Sequence, residues 1–94
     1  MTKTYFACHW NHSSEEQPVE FYGELDEGRW ELRKIEVYRD GRAVTLGPKD
    51  IEPGARTLVE APIPPLEQIE ADPQFEPREI TREEFEAVWR RFAG

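Results

Sequence analysis

The sequence predicts an α+β fold: a four- to five-stranded, mostly antiparallel sheet, arranged as a meander of hairpins, with a C-terminal helix packed on one face. Residues 19–46 alternate apolar and polar side chains around Glu27-Gly28 and Asp40-Gly41. Such X-Gly pairs close two-residue hairpin turns, because glycine accepts positive φ. Residues 81–92 instead repeat their apolar positions with the period of an amphipathic helix.

The length of 94 residues predicts a single domain. A chain of this size buries about 60–65% of its unfolded surface, which is enough for one core. We expect the sheet within residues 4–60, a proline-rich acidic connector over residues 61–79, and the helix over residues 81–92.

The first strand is predicted over residues 4–10, which alternate in character. With two-residue turns, Leu25 lies opposite Trp30, and a β-bulge at Arg33-Lys34 restores the alternation. Phe21 is then expected to face Ile35, and Val37 to face Val44. This register gives one apolar face for the helix to cover: Val19, Phe21, Leu25, Trp30, Leu32, Ile35, Val37, Val44 and Leu46. The opposite face is expected to meet solvent, with Glu20, Tyr22, Glu24, Glu31, Arg33, Glu36 and Tyr38 on it and Lys34 redirected by the bulge.

The proline-rich connector follows a short fifth strand predicted at residues 56–60. Pro62-Ile63-Pro64-Pro65 is interpreted as a rigid lead into one or two helical turns, since proline suits the first turn of a helix. A polyproline ligand for a partner groove is the alternative.

The C-terminal helix has the clearest local signals in the chain. Thr81 and Glu84 form a capping box, and Ile80 is placed to pack on Phe85. The apolar stripe then continues through Phe85, Val88, Trp89 and Phe92.

The charge balance restricts the function classes. With 20 acids and 12 bases the net charge is −8, which disfavours nucleic-acid binding. No segment approaches the about 20 apolar residues of a membrane helix. Cys8 is the single cysteine, so no intrachain disulfide forms, and a cytoplasmic location is expected.

Several short segments distributed along nearly the whole chain resemble a known family. They are His9-Trp10, Glu24-Leu25-Asp26, Arg29-Trp30-Glu31, Arg33-Lys34-Ile35-Glu36, Asp40-Gly41-Arg42, Pro62-Ile63-Pro64-Pro65-Leu66, and residues 80–89. Together they resemble a family of small bacterial proteins called domain of unknown function 6881. The resemblance implies an autonomous bacterial domain and brings no activity, cofactor or partner.

Catalytic and metal-binding patterns are weak. Cys8, His9 and His12 lack the paired spacing of a zinc site, and in a strand Cys8 and His9 point to opposite faces. The sequence has no phosphate-binding glycine loop, calcium loop or G-x-S-x-G motif. We therefore expect no cofactor and favour a non-enzymatic protein. A small ligand-binding domain or enzyme that uses His9, His12 and Arg33 is the alternative.

The strongest functional indication is the acidic segment from Glu60 to Glu86, which holds nine acids and two bases. Such a segment can capture a basic protein by complementary charge, as immunity-type inhibitors do, or simply keep a small domain soluble. The candidate partner-binding residues are Tyr22, Glu24, Glu31, Arg33, Lys34, Tyr38, Glu67, Glu70 and Asp72. Oligomeric state is expected to be a monomer or a weak homodimer formed through an unpaired edge strand.

Overall fold

The computed structural model of the chain describes residues 3–47 and 63–93 and has an α+β architecture. Five antiparallel strands form one sheet in the order β4-β3-β2-β1-β5. The predicted fold class is therefore confirmed. The elements are β1 (Thr4–Trp10), β2 (Glu20–Leu25), β3 (Glu31–Val37), β4 (Ala43–Leu46), α1 (Leu66–Glu70), β5 (Phe75–Ile80) and α2 (Arg82–Ala93).

The fifth strand comes from the segment that the sequence analysis assigned to a connector. β5 pairs with β1 at the end of the sheet, whereas the strand predicted at residues 56–60 lies outside the described residues. Pro77 sits in β5, and proline is tolerated there because the outer side of an edge strand has no ladder hydrogen bonds to donate. The predicted helical turns after Pro65 are present as α1.

Both hairpin loops are one residue longer than predicted. The first runs from Asp26 to Trp30, whose carbonyl accepts from the Asp26 N–H at 3.0 Å, and its left-handed residue is Arg29 (φ 66°) rather than Gly28. Asp26 Oδ1 accepts from the N–H groups of Gly28 (2.9 Å) and Trp30 (3.0 Å). In the second loop Gly41 takes the left-handed position (φ 93°), as predicted for a glycine in a tight turn. Three-residue loops that end in a left-handed residue are a common hairpin connection.

The extra loop residues shift the register by one, so the predicted faces are wrong. Tyr22 pairs with Ile35 and Val37 pairs with Ala43, where Phe21–Ile35 and Val37–Val44 pairs were expected. The bulge falls at Leu32 rather than at Arg33-Lys34, because Leu25 pairs with Glu31 and Glu24 with Arg33. Since side chains alternate with period two, a one-residue shift moves a side chain to the opposite face.

The sheet consequently buries apolar residues on both faces. On the face covered by α2, called the helix face, the buried cluster is Tyr5, Ala7, Ile35, Ile80 and Phe85. Helix α2 begins at the predicted capping box, in which the Glu84 N–H donates to Thr81 Oγ1 (3.1 Å) and the Thr81 N–H donates to Glu84 Oε1 (3.2 Å). Phe85 is its only fully buried side chain, and Val88, Trp89 and Phe92 are half-buried against the sheet.

Residues 63–75, which include α1, cover the other face, called the connector face. Phe6, Cys8 and Leu25 are buried there beneath half-buried side chains that include Ile63, Ile69 and Phe75. Arg29 holds the start of this cover in place. Its Nε donates to the Ile63 carbonyl (2.7 Å), its Nη2 donates to the Pro64 carbonyl (2.9 Å), and its own carbonyl accepts from the Ile63 N–H (2.7 Å). Ile63 and Pro64 are therefore held in place at the start of this cover.

Gly23 provides a test of this packing. It lies opposite Phe6 on the connector face, and a Cβ at Gly23 would clash with Phe6 Cε1 and lie 3.0 Å from Cζ. We expect Gly23→Ala to lower the free energy of unfolding by about 1–3 kcal/mol, because buried Phe6 must shift. Gly28→Ala is the matched control. Its Cβ would approach exposed Trp30 at 3.2 Å, so a change within about 1 kcal/mol is expected. Urea unfolding measures both, and equal effects would contradict the proposed close approach.

Candidate functional site

The helix face carries a charged cluster around Arg33. Its Nε and Nη2 donate to the two carboxylate oxygens of Glu24 at 2.7 and 2.9 Å, and Nη1 and Nη2 donate to those of Glu86 at 3.2 and 2.7 Å. Glu24 lies opposite Arg33 in the β2–β3 ladder, and Glu86 comes from α2. One guanidinium thus joins two strands and the helix through paired charge-assisted hydrogen bonds.

Aromatic rings of α2 complete this cluster. The Arg33 Cζ atom lies 4.8 Å from the ring centroid of Phe85 and 4.9 Å from that of Trp89. These distances are within the range of cation–π attraction, which strengthens where the cation is shielded from water. The Arg33 side chain is only 18% exposed, so α2 is fixed to the sheet partly by this contact.

The cluster shifts the pKa values of its members. Burial acts to raise the pKa of the Glu24 carboxyl, but hydrogen bonds from Arg33 and its charge, together with Tyr5 and Lys3, hold that pKa below its ordinary value. Hydrogen bonds from Arg33 likewise lower the pKa of Glu86. The same two carboxylates raise the pKa of the Arg33 guanidinium. All three groups are therefore charged at neutral pH.

The predicted solvent-facing patch on the sheet does not exist as a single surface. Tyr22, Glu24 and Arg33 lie on the helix face under α2, and Glu24 is 4% exposed. Glu31 is buried and Lys34 lies on the connector face, where its Nζ is 3.4 Å from a Glu36 carboxylate oxygen. Their expected positions assumed two-residue turns, so the register shift is the reason for the error.

A run of exposed carboxylates borders β5, the outer strand of the sheet. It starts on α1, continues through the turn and β5 itself, and ends in the first turn of α2. We call these side chains, which extend to both faces of the sheet around β5, the acidic edge. Its members are Glu67, Glu70, Asp72, Glu76, Glu79, Glu83 and Glu84. Three of the predicted partner-binding residues, Glu67, Glu70 and Asp72, therefore lie on it.

A hollow of about 470 Å³ opens where β1 and β3 end and β2 begins. Residues 9–12, Val19, Tyr38 and Arg39 line it. The structure therefore brings together His9, His12 and Tyr38, all predicted as candidates, and adds Arg39, which the sequence analysis missed. Arg33, the third residue of the predicted ligand or enzyme site, is not part of the lining.

The two histidines of the hollow are held differently. His12 uses both ring nitrogens locally: Nε2 lies 2.8 Å from the Pro18 carbonyl oxygen, and Nδ1 accepts from the Ser14 N–H at 3.0 Å. Both hydrogen bonds form when the imidazole proton is on Nε2. His12 therefore stabilises the loop between β1 and β2. His9 contacts the Glu20 carboxylate through Nδ1 (3.2 Å), which leaves Nε2 without a bond among the described residues.

A smaller apolar cavity, of about 160 Å³, lies between the sheet and residues 63–75. Cys8 lines it from β1 with Phe6 and Phe21. Burial raises the pKa of the Cys8 thiol, so this thiol is poorly suited to nucleophilic chemistry. Cys8 and His9 occupy opposite faces of the sheet, as the strand prediction required.

Within residues 3–47 and 63–93, no group of three or more His, Cys, Asp or Glu side chains is arranged to hold a metal ion. The helices in those ranges are too short and too polar to cross a membrane.

Comparison with family models gives one informative result. The family described as Domain of unknown function (DUF6881) matches residues 4–94. This match covers nearly the whole chain and confirms the resemblance stated from the sequence segments. The searches of curated proteins and of solved structures found no match.

The charged cluster predicts a specific pH dependence of stability. Glu24 and Glu86 have lower pKa values in the folded chain than in the unfolded one. Their stabilisation is therefore present above the ordinary glutamate pKa of about 4.3 and is lost as the pH falls through the lower folded values. We expect Arg33→Met to lower the free energy of unfolding by about 3 kcal/mol at pH 7, because it leaves a buried carboxylate unpaired.

The difference between the wild-type chain and Arg33→Met should shrink as the pH is lowered below the ordinary glutamate pKa, because protonation of Glu24 and Glu86 removes their pairing with Arg33. Arg42→Met is the control. Arg42 pairs with Asp40 at the surface, where both side chains are more than 60% exposed. Its substitution is therefore expected to change the free energy of unfolding by less than about 1 kcal/mol. Denaturant unfolding between pH 3 and pH 7 measures these values. A difference that is independent of pH would show that the ion pairs are not its origin.

Proposed function

The chain belongs to the DUF6881 family, and we propose that it is a non-enzymatic protein-binding module that captures a basic protein partner on its acidic edge. The observation that carries the proposal is the position of the exposed carboxylates around the outer strand. Among the described residues no strand pairs with the outer side of β5, and charge placed there acts on an approaching protein through its field. Complementary charge then speeds association and selects among partners.

The state of these carboxylates supports the proposal. Within the described residues, Glu67, Glu70 and Glu79 form no ion pair, in contrast to Glu24, Glu36 and Glu86 in the interior. Two arginines, Arg78 and Arg82, lie within the same stretch and only partly offset it. A basic surface that binds here would neutralise charges that repel one another in the free protein.

An immunity-like or antitoxin-like role, in which a basic toxin is the partner, is the most specific form of this proposal. We place it in the cytoplasm of a bacterial cell, with the chain acting as a monomer or a weak homodimer. The charges of β5 favour the monomer at that edge, since charged side chains on an edge strand oppose pairing with a second copy.

The alternative, a small ligand-binding domain or an enzyme using His9, His12 and Arg33, receives support only for its first two residues. The hollow joins the two histidines, whereas Arg33 is engaged by two carboxylates under α2. A catalytic site of all three residues would require α2 to leave the sheet.

Charge reversal tests the binding proposal. We expect Glu67→Lys combined with Glu70→Lys to abolish retention of a basic protein from a lysate of the source cells, because the double change moves the charge of the edge by +4. Both side chains are exposed and make no described hydrogen bond, so folding should be preserved. Asp72 is left intact because its Oδ1 accepts from the Gln74 N–H at 3.0 Å and supports the turn.

Glu15→Lys combined with Glu16→Lys is the matched control, since it makes the same change in net charge in the loop before β2. The control should retain the partner, and about 0.3 M salt should release it from the wild-type chain, because screening shortens the Debye length to well under 10 Å. Pull-down with mass-spectrometric identification provides the measurement. Equal losses in the two double variants would attribute retention to net charge alone, and equal retention would exclude the acidic edge.

A further inference from the structure

The side chains that line the hollow at the end of the sheet differ in charge from the chain as a whole. The chain carries 20 acids and 12 bases, yet the side chains that line the hollow include no acid and one permanent cation, Arg39. Two carboxylates contact the lining. Glu20 Oε1 lies 3.2 Å from His9 Nδ1 while its Oε2 is buried without a hydrogen-bond partner, and Glu76 accepts from Asn11 Nδ2. The hollow therefore differs in kind from the acidic edge.

Arg39 is held in place without being neutralised. Its Nη2 donates to the His12 carbonyl and its Nη1 to the Ser13 carbonyl at 3.4 Å. Elsewhere in the described residues, Arg33, Lys34 and Arg42 are each paired with a carboxylate. A guanidinium has five N–H donors and two are used here, so Arg39 keeps both its charge and free donors.

The loop that carries these carbonyls is itself fixed. The His12 ring bridges the Ser14 N–H and the Pro18 carbonyl, and its ring centroid lies 4.3 Å from that of Trp10 in an edge-on arrangement. Trp10 in turn stacks against Phe21 and Phe75, with centroids 6.0 and 5.6 Å away. The carbonyls that hold the exposed Arg39 side chain thus belong to a loop fixed against the folded core, which reduces the entropy lost when the guanidinium binds a ligand.

The remaining lining supplies apolar and aromatic surface. Trp10, Val19 and Tyr38 contribute it, and the volume of about 470 Å³ falls within the usual range of small-molecule sites. A planar body can lie against such surface while a negative group reaches the guanidinium, whose planar fork suits carboxylate and phosphate groups.

From these observations we propose that the hollow binds a small planar organic anion, with the carboxylate or phosphate group of the ligand on Arg39. This site adjoins the acidic edge at Glu76, which accepts from Asn11 Nδ2, but it does not depend on the protein-binding proposal.

The test is a titration of the full chain, followed by ¹⁵N–¹H NMR, with four probes of similar shape. Benzoate and phenyl phosphate carry the anionic group, whereas benzamide is neutral and benzylamine is cationic. We expect saturable shifts at the amides of residues 9–12 and 38–39 with one or both anions at concentrations up to about 10 mM. The stronger of the two identifies the preferred anionic group. No saturable shift with either anion, or equal binding of benzamide, would overturn the proposal.

Substitution of Arg39 separates its charge from general effects on the surface. Arg39→Gln should weaken binding of the preferred anion about tenfold or more, since a charge-assisted hydrogen-bond pair is lost. Arg39→Lys should bind more tightly than Arg39→Gln because it keeps the charge. Arg82→Gln, at the start of α2 and near the opposite end of β1, makes the same charge change and should bind like the wild-type chain. Unchanged affinity in Arg39→Gln would overturn the assignment.

Discussion

The contact on which the rest of the structure depends is the one between Arg33 and α2. The helix buries only Phe85 completely, so apolar burial alone gives it a limited hold on the sheet. Arg33 strengthens this attachment because it pairs with the Glu86 carboxylate of the helix and lies over the rings of Phe85 and Trp89. Glu24 then has to sit beside the guanidinium, because a cation left in this position with one partner would carry much of its desolvation cost uncompensated. The polar residues of β2 and β3 that looked like an exterior are thus the means by which the helix is attached.

The limits of the sequence prediction follow from how far each signal reaches along the chain. The capping box of Thr81 and Glu84 and the apolar stripe after it involve neighbours within a few turns, and the helix was predicted nearly residue for residue. The faces of the hairpins depended on loop length, which the X-Gly pairs did not determine. Asp26 favours the longer loop by accepting two backbone N–H groups, and Arg29 adopts a left-handed conformation that is uncommon for a residue with a side chain. Because side chains alternate along a strand, the one extra residue in the loop decided which side chains face α2.

β5 and the hollow were missed for a different reason, since both depend on distant segments. Residues 75–80 contain a proline and three charged residues, and they form a strand because they pair with β1 at the end of the described sheet. The hollow gathers residues 9–12 with Tyr38 and Arg39, and adjacency in the sequence could indicate only the two histidines. Arg33, which was named with the two histidines as the alternative site, is engaged by Glu24 and Glu86 under α2 instead. The residue that lies beside the two histidines is Arg39, which follows the C-terminal end of β3.

The distribution of charge connects the interior to both proposed surfaces. Arg33 and Lys34 are paired with buried glutamates, so these bases contribute little to the potential outside the molecule. The carboxylates around β5 are left with Arg78 and Arg82 as their nearest cations along the chain, and the field there is negative. Arg39 differs from Arg33 and Lys34 because backbone carbonyls, which carry no net charge, hold it, as they also hold Arg29. An acidic chain can therefore present a negative edge to a protein and still keep one fixed positive group for a small anion. Moving Arg39 into an ion pair would remove the second property without altering the first.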